Sequence, residues 1–478
     1  MNIVLVLPPA ERISEKKDMP KYQHVGLGYL AAVLEKNDLN VKVIDAKLDC
    51  IGFDQTLRAI SRFSPDVLGI TAMTHEIDMA ARLAKKAKDL LPHVFTVIGG
   101  VHVTALPVET LQTYHSFDIG VLGEGEYLFL DVVKLIEKKE LDFSRLKGLV
   151  YRKGSEILLS HPLERIMDLD GLPFPAWHQF PNATEYIIIT SRGCPFSCIF
   201  CMQAMGQKLR RRSPDNVAQE IEKVLVERQP ERFLFYDETF TLDKKHVYEI
   251  CNLIIRRGLN RHISWSATTR VDCVDKDILS KMKEAGCNHI EFGVESGDQV
   301  VLDRIQKKIN LKQAEQAVEL AKKLGFHTEG AFILGHPNET LRTAYKTIYF
   351  AAKLNPDIVQ LGIMVPYPGT EVARLAREGK EGYKIISNDW SDYNKQLGNA
   401  LELEELSRLD LERLQLIGYV KLFISNSRFR DFLKFVWNYR REAISFLRYH
   451  FRKNKTHYTS RLNIFSMVKM IFNRSSEL

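Results

Sequence analysis

Short apolar runs alternate with helical patterns over residues 1–140. Strands are predicted at Ile3–Leu7, Val41–Asp45, Val67–Thr71, Val94–Gly99 and Ile119–Leu122, with helices between them such as Gly26–Glu35 and Glu76–Leu91. The alternation points to a parallel sheet with helices on both faces. Ligands of such sheets bind beyond the carboxyl ends of the strands. Three turns stand at those ends: Thr71-Ala72-Met73-Thr74, Gly99-Gly100-Val101-His102 and Gly123-Glu124-Gly125-Glu126. Paired glycines there would let a large flat ligand approach the backbone. Residues 141–182 interrupt the pattern with Pro162, Gly171, Pro173, Pro175 and Pro181, and read as a loop-rich linker.

Over 183–380 the alternation returns, with strands predicted at Tyr186–Thr190, Phe233–Tyr236, Ser264–Thr268, His289–Val294, Thr328–Leu334 and Ile358–Val365. Six β/α repeats fit a parallel barrel, whose chemistry gathers at the carboxyl ends of its strands. Residues 381–478 lose the pattern, and Leu401–Leu416 reads as a helix that is acidic at first. The fold class is α/β, in four segments: 1–140, 141–182, 183–380 and a helical 381–478.

Composition narrows this little: 45% hydrophobic and 27% charged residues are ordinary globular values. Seven thinly spread cysteines do not make a disulfide framework. Cys50, Cys251, Cys273 and Cys287 read as core thiols. The apolar start, Met1 to Pro9, lacks a basic n-region and a cleavage site, and reads as a buried strand rather than a signal peptide. No run of 18 apolar residues predicts a spanning helix, so a cytoplasmic location is expected.

Net charge does change the picture. Residues 421–478 hold 13 Lys/Arg against 3 Asp/Glu, while the rest holds 54 against 57, so the whole basic excess lies in the tail. Aromatics interleave with cations there, at Arg428–Trp437 and Phe446–Lys453. Three readings stay open: helices covering the open side of the barrel, a basic amphipathic surface lying on an anionic membrane, and nucleic-acid binding. No recognition module accompanies the charge, so nucleic acid is not expected as a partner.

The candidate chemistry centres on Cys194, Cys198 and Cys201, within Arg192-Gly193-Cys194-Pro195-Phe196-Ser197-Cys198-Ile199-Phe200-Cys201. Three thiolates this close can hold three irons of a [4Fe–4S] cube, which normally takes four cysteines. With no fourth cysteine nearby, one iron is left open for a substrate or cofactor. Zinc sites instead show paired C-x2-C units or histidines at set offsets.

The C-x3-C-x2-C spacing resembles that of the radical S-adenosylmethionine enzymes. The resemblance implies a partial (β/α)6 barrel of the TIM type, with the amino and carboxylate groups of S-adenosylmethionine on the open iron. It also implies an electron donor such as flavodoxin or ferredoxin, which triggers cleavage to a 5′-deoxyadenosyl radical. Asp237 and Glu238 stand where the family places an acidic residue for the cofactor's amino group, although Asp-Glu replaces the typical Gly-Gly-Glu. Arg270 is implied as partner of its carboxylate, and Glu295 as a polar contact to ribose or methionine. Gly330, Ile333, Gly335 and Glu339 resemble the family's G-x-I-x-G-x-x-E, with one extra residue before the isoleucine and one before the glutamate. Phe200 is placed to stack on adenine, His336 to serve as a proton donor, and Tyr367 to stand near substrate.

Residues 1–140 resemble the cobalamin-binding domain that precedes many such cores. The match rests on the helix start Gly26-Leu27-Gly28-Tyr29-Leu30 and on the Gly-Gly-x-His and Gly-Glu-Gly-Glu turns. It implies corrinoid contacts at Thr71, Ala72, Met73, Thr74, Gly99, Gly100, His102, Gly123, Glu124, Gly125 and Glu126. The D-x-H-x-x-G loop of other cobalamin folds is missing, and His24 and His75 lie in no such motif, so the corrinoid is expected without a histidine on cobalt. Asp168–Trp177 resembles the linker ahead of the radical core. The family includes the anaerobic magnesium-protoporphyrin IX monomethyl ester cyclase and methylases of hopanoids and other lipids. The activity implied is therefore C-methylation of an unactivated carbon on a small molecule, a lipid or a tetrapyrrole, through a 5′-deoxyadenosyl radical and methylcobalamin. A radical cyclisation or other carbon-skeleton change is the nearest alternative. A corrinoid and iron–sulfur sensor without radical chemistry is the alternative of another class.

Overall fold

The computed structural model describes residues 1–10, 21–394, 399–438, 464–472 and 475. The second aromatic-basic run, Phe446–Lys453, lies outside the described residues. The chain divides into two compact units, one of residues 1–195, 202–238 and 252–265, the other of 196–201, 239–251 and 266–478.

The first unit is built on β1 (Asn2–Leu7), β2 (Asn40–Asp45), β3 (Val67–Thr71), β4 (Phe95–Gly99) and β5 (Ile119–Val121), all parallel, in the order β2-β1-β3-β4-β5. Their apolar runs are buried because helices cover a sheet of this kind on both faces. In this order the chain reverses direction across the sheet between β1 and β3, and ligands of open α/β sheets bind at such a switch. The expected ends of all five strands hold to within a residue or two.

Two differences concern the expected linker. Residues Leu149–Lys153 form β6 and Glu156–Leu159 form β7, and this hairpin extends the sheet antiparallel beyond β5. Farther on, Leu169, Leu172, Ala176, Trp177 and Phe180 are buried, and Ala176 donates its N–H to Gly28 O at 2.9 Å. The prolines therefore mark a packed segment and not a free tether. The first unit also holds β8 (Glu185–Ile188) paired in parallel with β9 (Arg232–Phe235).

The second unit carries β10 (Trp265–Thr269, from Ser266 onward), β11 (Cys287–Glu295), β12 (His327–Leu334) and β13 (Ile358–Ile363), in the order β10-β11-β12-β13. The pairs β11–β12 and β12–β13 are parallel. Register slips between Gly293 and Glu295, and Glu295 has φ of 71°, so a bulge re-aims the end of β11.

The tail differs from the single helix expected over Leu401–Leu416. Leu401–Leu403 is a short strand paired with Tyr383–Ile385, and the helix begins only at Arg408 and runs to Ser425. Ser407 caps it, with its side chain accepting from Asp410 N. Leu411, Leu414, Ile417 and Leu422 are buried, and the helix packs on Leu341–Leu354 and β13. The last described helix, Ile464–Phe472, lies against it, where the buried Lys421 donates to Met470 O and Ile471 O at 3.2 and 3.3 Å. A cation on terminal carbonyls is a favourable C-cap. No helix of the described residues is long and apolar enough to cross a membrane.

Candidate active site

In the first unit, β8 ends two residues before Thr190, and the chain then enters Ser191, Arg192, Gly193 and Cys194. Asp237, just beyond β9, holds this exit. Its buried carboxylate accepts from Thr190 N at 2.7 Å, from Thr190 Oγ1 at 2.5 Å and from Ser191 Oγ at 2.7 Å. Burial pushes its carboxyl up while these bonds oppose it. Asp237 is thus committed to the backbone that leads to the cysteines. Glu238 is exposed and accepts from Gly193 N at 3.3 Å. Gly193 has φ of 99°, and a Cβ there would stand 2.3 Å from Lys208 O. Only glycine fits so close a backbone approach at that conformation. Cys194 follows, its N–H bonded to Gly206 O at 3.0 Å.

The Gly-Glu-Gly-Glu turn is tied to two arginines. Glu124 and Glu126 are buried, and their carboxylates meet arginines. Arg192 reaches Glu124 at 3.2 Å and Glu126 at 2.7 Å, and Arg210 reaches Glu124 at 2.7 Å. Burial pushes Glu124 up, but the hydrogen bond and charge of Arg210 and the charge of Arg192 outweigh it and hold the carboxyl below its ordinary value. Arg192 immediately precedes Gly193-Cys194, so the turn after β5 clamps the approach to the first cysteine. Glu126 engages Arg192 through Oε1, and its Oε2 is buried without a hydrogen-bond partner.

The other strand-end turns are divided. Met73 is 49% exposed, Gly123 is exposed, and Thr71, Gly99, Gly100 and Gly125 are half-buried, whereas Ala72, Thr74 and His102 are buried. Burial pulls His102 down to about 4, so its ring is neutral near pH 7. Gly100 has φ of 98°, and a Cβ there would stand 2.6 Å from Ala72 O. The two turns therefore meet backbone to backbone. Since β3, β4 and β5 are neighbours, their exposed turn residues line one edge of the sheet, which fits a broad, flat ligand such as a corrin.

In the second unit, Cys198 and Cys201 share a turn, with Cys201 N donating to Cys198 O at 3.0 Å. All seven cysteines are free thiols. The Arg270 guanidinium stacks on Phe196, 3.6 Å from its ring centroid, and points Nη1 at Cys198 Sγ, 4.0 Å away. Its Nε and Nη2 bond Asp272, each at 2.9 Å, which fixes the fork and leaves Nη1 as the edge toward the cysteine loop. Lys307 pairs with Glu295 at 2.7 Å, both buried, and its ammonium lies 6.0 Å from the Phe200 ring centroid. Burial pushes the Cys198 thiol up, and Lys307 and Arg270 pull the other way. Cations beside thiolates suit a ligand set that carries negative charge.

Phe200, half-buried, lies 6.4 Å from the His336 ring. His336 is fully buried, its Nε2 3.3 Å from Glu295 O, and burial pulls it down to about 4. The expected proton-donor role is thereby narrowed to a neutral imidazole. Glu339 closes the turn after β12: one carboxylate oxygen accepts from Gly335 N and His336 N, and burial pushes its carboxyl up to about 8. Gly330 and Ile333 lie within β12, where Gly330 makes room for Phe332 and Pro356, each 3.1 Å from a Cβ built on it. Cys198, Arg270, Lys307, Glu295, Phe200 and His336 thus form one linked group. Tyr367 packs, with Trp390, against Val365, Tyr393 and Ala400.

Among the described residues no three His, Cys, Asp or Glu side chains gather tightly enough for a single metal ion. A four-iron cube sets each thiolate on a different iron and spreads its ligands more widely, so three cysteines within eight residues of sequence fit the cluster as a donor set, and Arg270 stands beside Cys198 in the second unit. Residues that the sequence does not single out are Lys307, Asp272, Arg192 and Arg210. Arg192 carries a signal, because it stands one residue before the glycine and first cysteine.

Two family models match the chain: the radical SAM superfamily over residues 188–351 and the B12 binding domain over residues 20–133. An uncharacterized methyltransferase of Pyrococcus horikoshii, PH0819, is 33% identical over 433 residues, covering 89% of this chain and 93% of that protein. The anaerobic magnesium-protoporphyrin IX monomethyl ester cyclase of Cereibacter sphaeroides is 31% identical over 77% of this chain, which spans 62% of that enzyme. The structure of the radical S-adenosylmethionine methyltransferase TsrM from Kitasatospora setae, with tryptophan substrate and an S-adenosylmethionine analogue, has a TM-score of 0.69 at 17% identity. It covers 86% of this chain and 88% of its own, and shows the shared fold. The chain belongs to the radical SAM superfamily, with an N-terminal B12-binding domain ahead of its radical SAM core.

Proposed function

We propose that the protein is a cobalamin-dependent radical S-adenosylmethionine methyltransferase acting on an unactivated carbon of a small molecule. The observation that carries this reading is the cysteine loop itself: three free thiols, with the guanidinium of Arg270 aimed at Cys198, in a chain that also carries a B12-binding sheet. When bound, the cluster and S-adenosylmethionine supply a 5′-deoxyadenosyl radical and the corrinoid supplies a transferable methyl group. The protein's own share is positioning. Cys194, Cys198 and Cys201 hold the cluster. Arg270 and Lys307 offset its charge and orient a carboxylate. Glu238 accepts from an ammonium, and Phe200 offers a ring face to adenine. Reduction is assigned to a flavodoxin or ferredoxin.

The 31% identity to a cyclase keeps cyclisation of a tetrapyrrole as the second reading. Products separate the two. Anaerobic reconstitution with iron, sulfide and hydroxocobalamin, then reduction with S-adenosylmethionine, should yield 5′-deoxyadenosine, and S-adenosylhomocysteine only when corrinoid is retained. Deoxyadenosine without S-adenosylhomocysteine would move the assignment to the cyclase, and neither product would remove both.

Peripheral membrane contact belongs to the same proposal. Phe429, Leu433, Val436 and Trp437, spaced along one face of the helix Phe429–Asn438, are 60%, 66%, 45% and 67% exposed. An exposed apolar stripe within a basic tail suits an anionic lipid surface. The full protein should sediment with phosphatidylserine vesicles at low salt and be released by Leu433→Asp. Equal recovery with neutral and anionic vesicles would argue that the stripe has another purpose.

A further inference from the structure

The first unit holds a cation that the proposed function does not use. Arg165, in the segment after β7, lays its guanidinium against two glycine turns. A Cβ built on Gly123 would stand 3.4 Å from its Nη1, and one built on Gly206 would stand 3.4 Å from its Nε. Nη1 is buried and has no hydrogen-bond partner. Each acidic residue adjacent to it in sequence or in the Gly123 turn already has a cationic partner. Glu124 accepts from Arg192, from Arg210 and from Ile166 N, the residue next to Arg165, at 2.9 Å. Glu126 accepts from Arg192, and Glu164, on the other side of Arg165, pairs with Lys147. Arg165 as a residue is half-buried, and Nη1 is the edge of its guanidinium that is closed off without an acceptor. A guanidinium keeps its protons, and a buried N–H donor left without an acceptor is costly. The missing complement is an oxygen acceptor, and an oxyanion is the strongest acceptor for a guanidinium.

We propose that Arg165 anchors an oxyanion site at the carboxyl end of β5, taking a phosphodiester or carboxylate group of a cofactor or substrate. Gly123, on the Nη1 side of the guanidinium, is itself exposed, whereas Nη1 beneath it is buried. Gly206, on the other side, supplies the carbonyl that holds Cys194 N–H. The site thus lies between the turn at the edge of the B12-binding sheet and the approach to the first cysteine. Only the identity of the ligand rests on the function proposed above. A corrinoid with its nucleotide loop brings a phosphodiester, S-adenosylmethionine brings a carboxylate, and a substrate can bring either.

The test uses full-length protein with its cluster reconstituted. Equilibrium dialysis measures hydroxocobalamin, cobinamide (the corrin ring without the nucleotide-loop phosphodiester) and S-adenosylmethionine. Thermal melting compares inorganic phosphate with chloride at equal ionic strength. Arg165→Met should lose about tenfold or more in affinity for one anionic ligand. Its ligand-free melting temperature should hold or rise, because a buried donor without an acceptor has gone, an effect opposite to that of removing a structural arginine. Arg165→Lys, which keeps the charge without the planar fork, should fall between. Loss confined to hydroxocobalamin assigns the phosphodiester of the corrinoid. Loss confined to S-adenosylmethionine assigns its carboxylate. Loss of the phosphate stabilisation alone assigns an anionic group of the substrate. Unchanged affinities and an unchanged phosphate response in Arg165→Met overturn the site, whatever the melting temperature. If the wild type retains no corrinoid, that result counts against the proposed methyltransferase, and the S-adenosylmethionine and phosphate arms still decide the site.

Discussion

Replacing Cys198 with alanine removes one of three iron ligands and is expected to reduce iron retained after gel filtration to background, with 5′-deoxyadenosine falling below detection. Two thiolates on one short loop cannot anchor three irons of a cube, and no other cysteine of the loop can substitute. The four remaining cysteines lie elsewhere, with Cys251, Cys273 and Cys287 buried and Cys50 exposed on the first sheet's side of the chain. Cys198 itself is only half-buried, so the variant should melt close to the wild type in the absence of iron. Retention of hydroxocobalamin should be unchanged, because the B12-binding residues lie at 20–133. Iron and cobalt measured on the same gel-filtered sample, beside deoxyadenosine by chromatography, read all three quantities. Deoxyadenosine at wild-type level in the variant would remove the cysteine loop from the chemistry.

Glu124→Gln is expected to destabilise the folded protein by about 3–5 kcal/mol, the usual result when one member of a buried ionic group is removed. Glu124 is the hub: its side chain is 1% exposed and answers two guanidiniums and a backbone N–H. Glutamine keeps the shape but leaves Arg192 and Arg210 with too little negative charge. The pH dependence carries a signature. The folded carboxyl is held below its ordinary 4.5, so its stabilisation is fully present above that unfolded value and is lost as pH falls through the depressed folded one. Wild type and variant should therefore differ most near neutrality and converge in acid. Urea unfolding at pH 7 and at the lowest pH that still gives a folded baseline measures the difference. Replacing Glu124 and Arg210 together with apolar residues should recover part of the loss, since no charge is then left unanswered. A neutral Glu124→Gln at pH 7 would mean that water already compensates these arginines.

Strands such as β1 and β3 are legible because each is a nearly continuous apolar run; β3 occupies Val67–Thr71 in pattern and in structure alike. The β6–β7 hairpin is not. Its runs, Leu149-Val150-Tyr151 and Ile157-Leu158-Leu159, are short, and the prolines that follow pull the reading toward a loop. The turn at Lys153-Gly154-Ser155 is the signal that marks it. The Leu401-Glu402-Leu403 alternation fits strand and helix equally, and only pairing with Tyr383–Ile385 decides. At the site, Arg270, Glu295 and His336 are legible because they stand at or just beyond the ends of barrel strands. Lys307 stands in a loop, and its value comes from Glu295, which the bulge in β11 turns toward it. Arg192 and Glu124 lie 68 residues apart, and no local pattern joins charges across that distance.

The β6–β7 hairpin sets a limit on how this protein can be taken apart. β5 is a three-residue apolar strand whose outer side is paired by β6. A fragment ending at residue 140, where the alternation stops, would leave that side as an open edge, and an open apolar edge is a template for pairing with another molecule. A fragment reaching past Leu159 keeps the edge closed. The inheritable module is therefore longer than its sequence rhythm, and any fusion or exchange of this domain between proteins has to carry the hairpin with it to stay soluble.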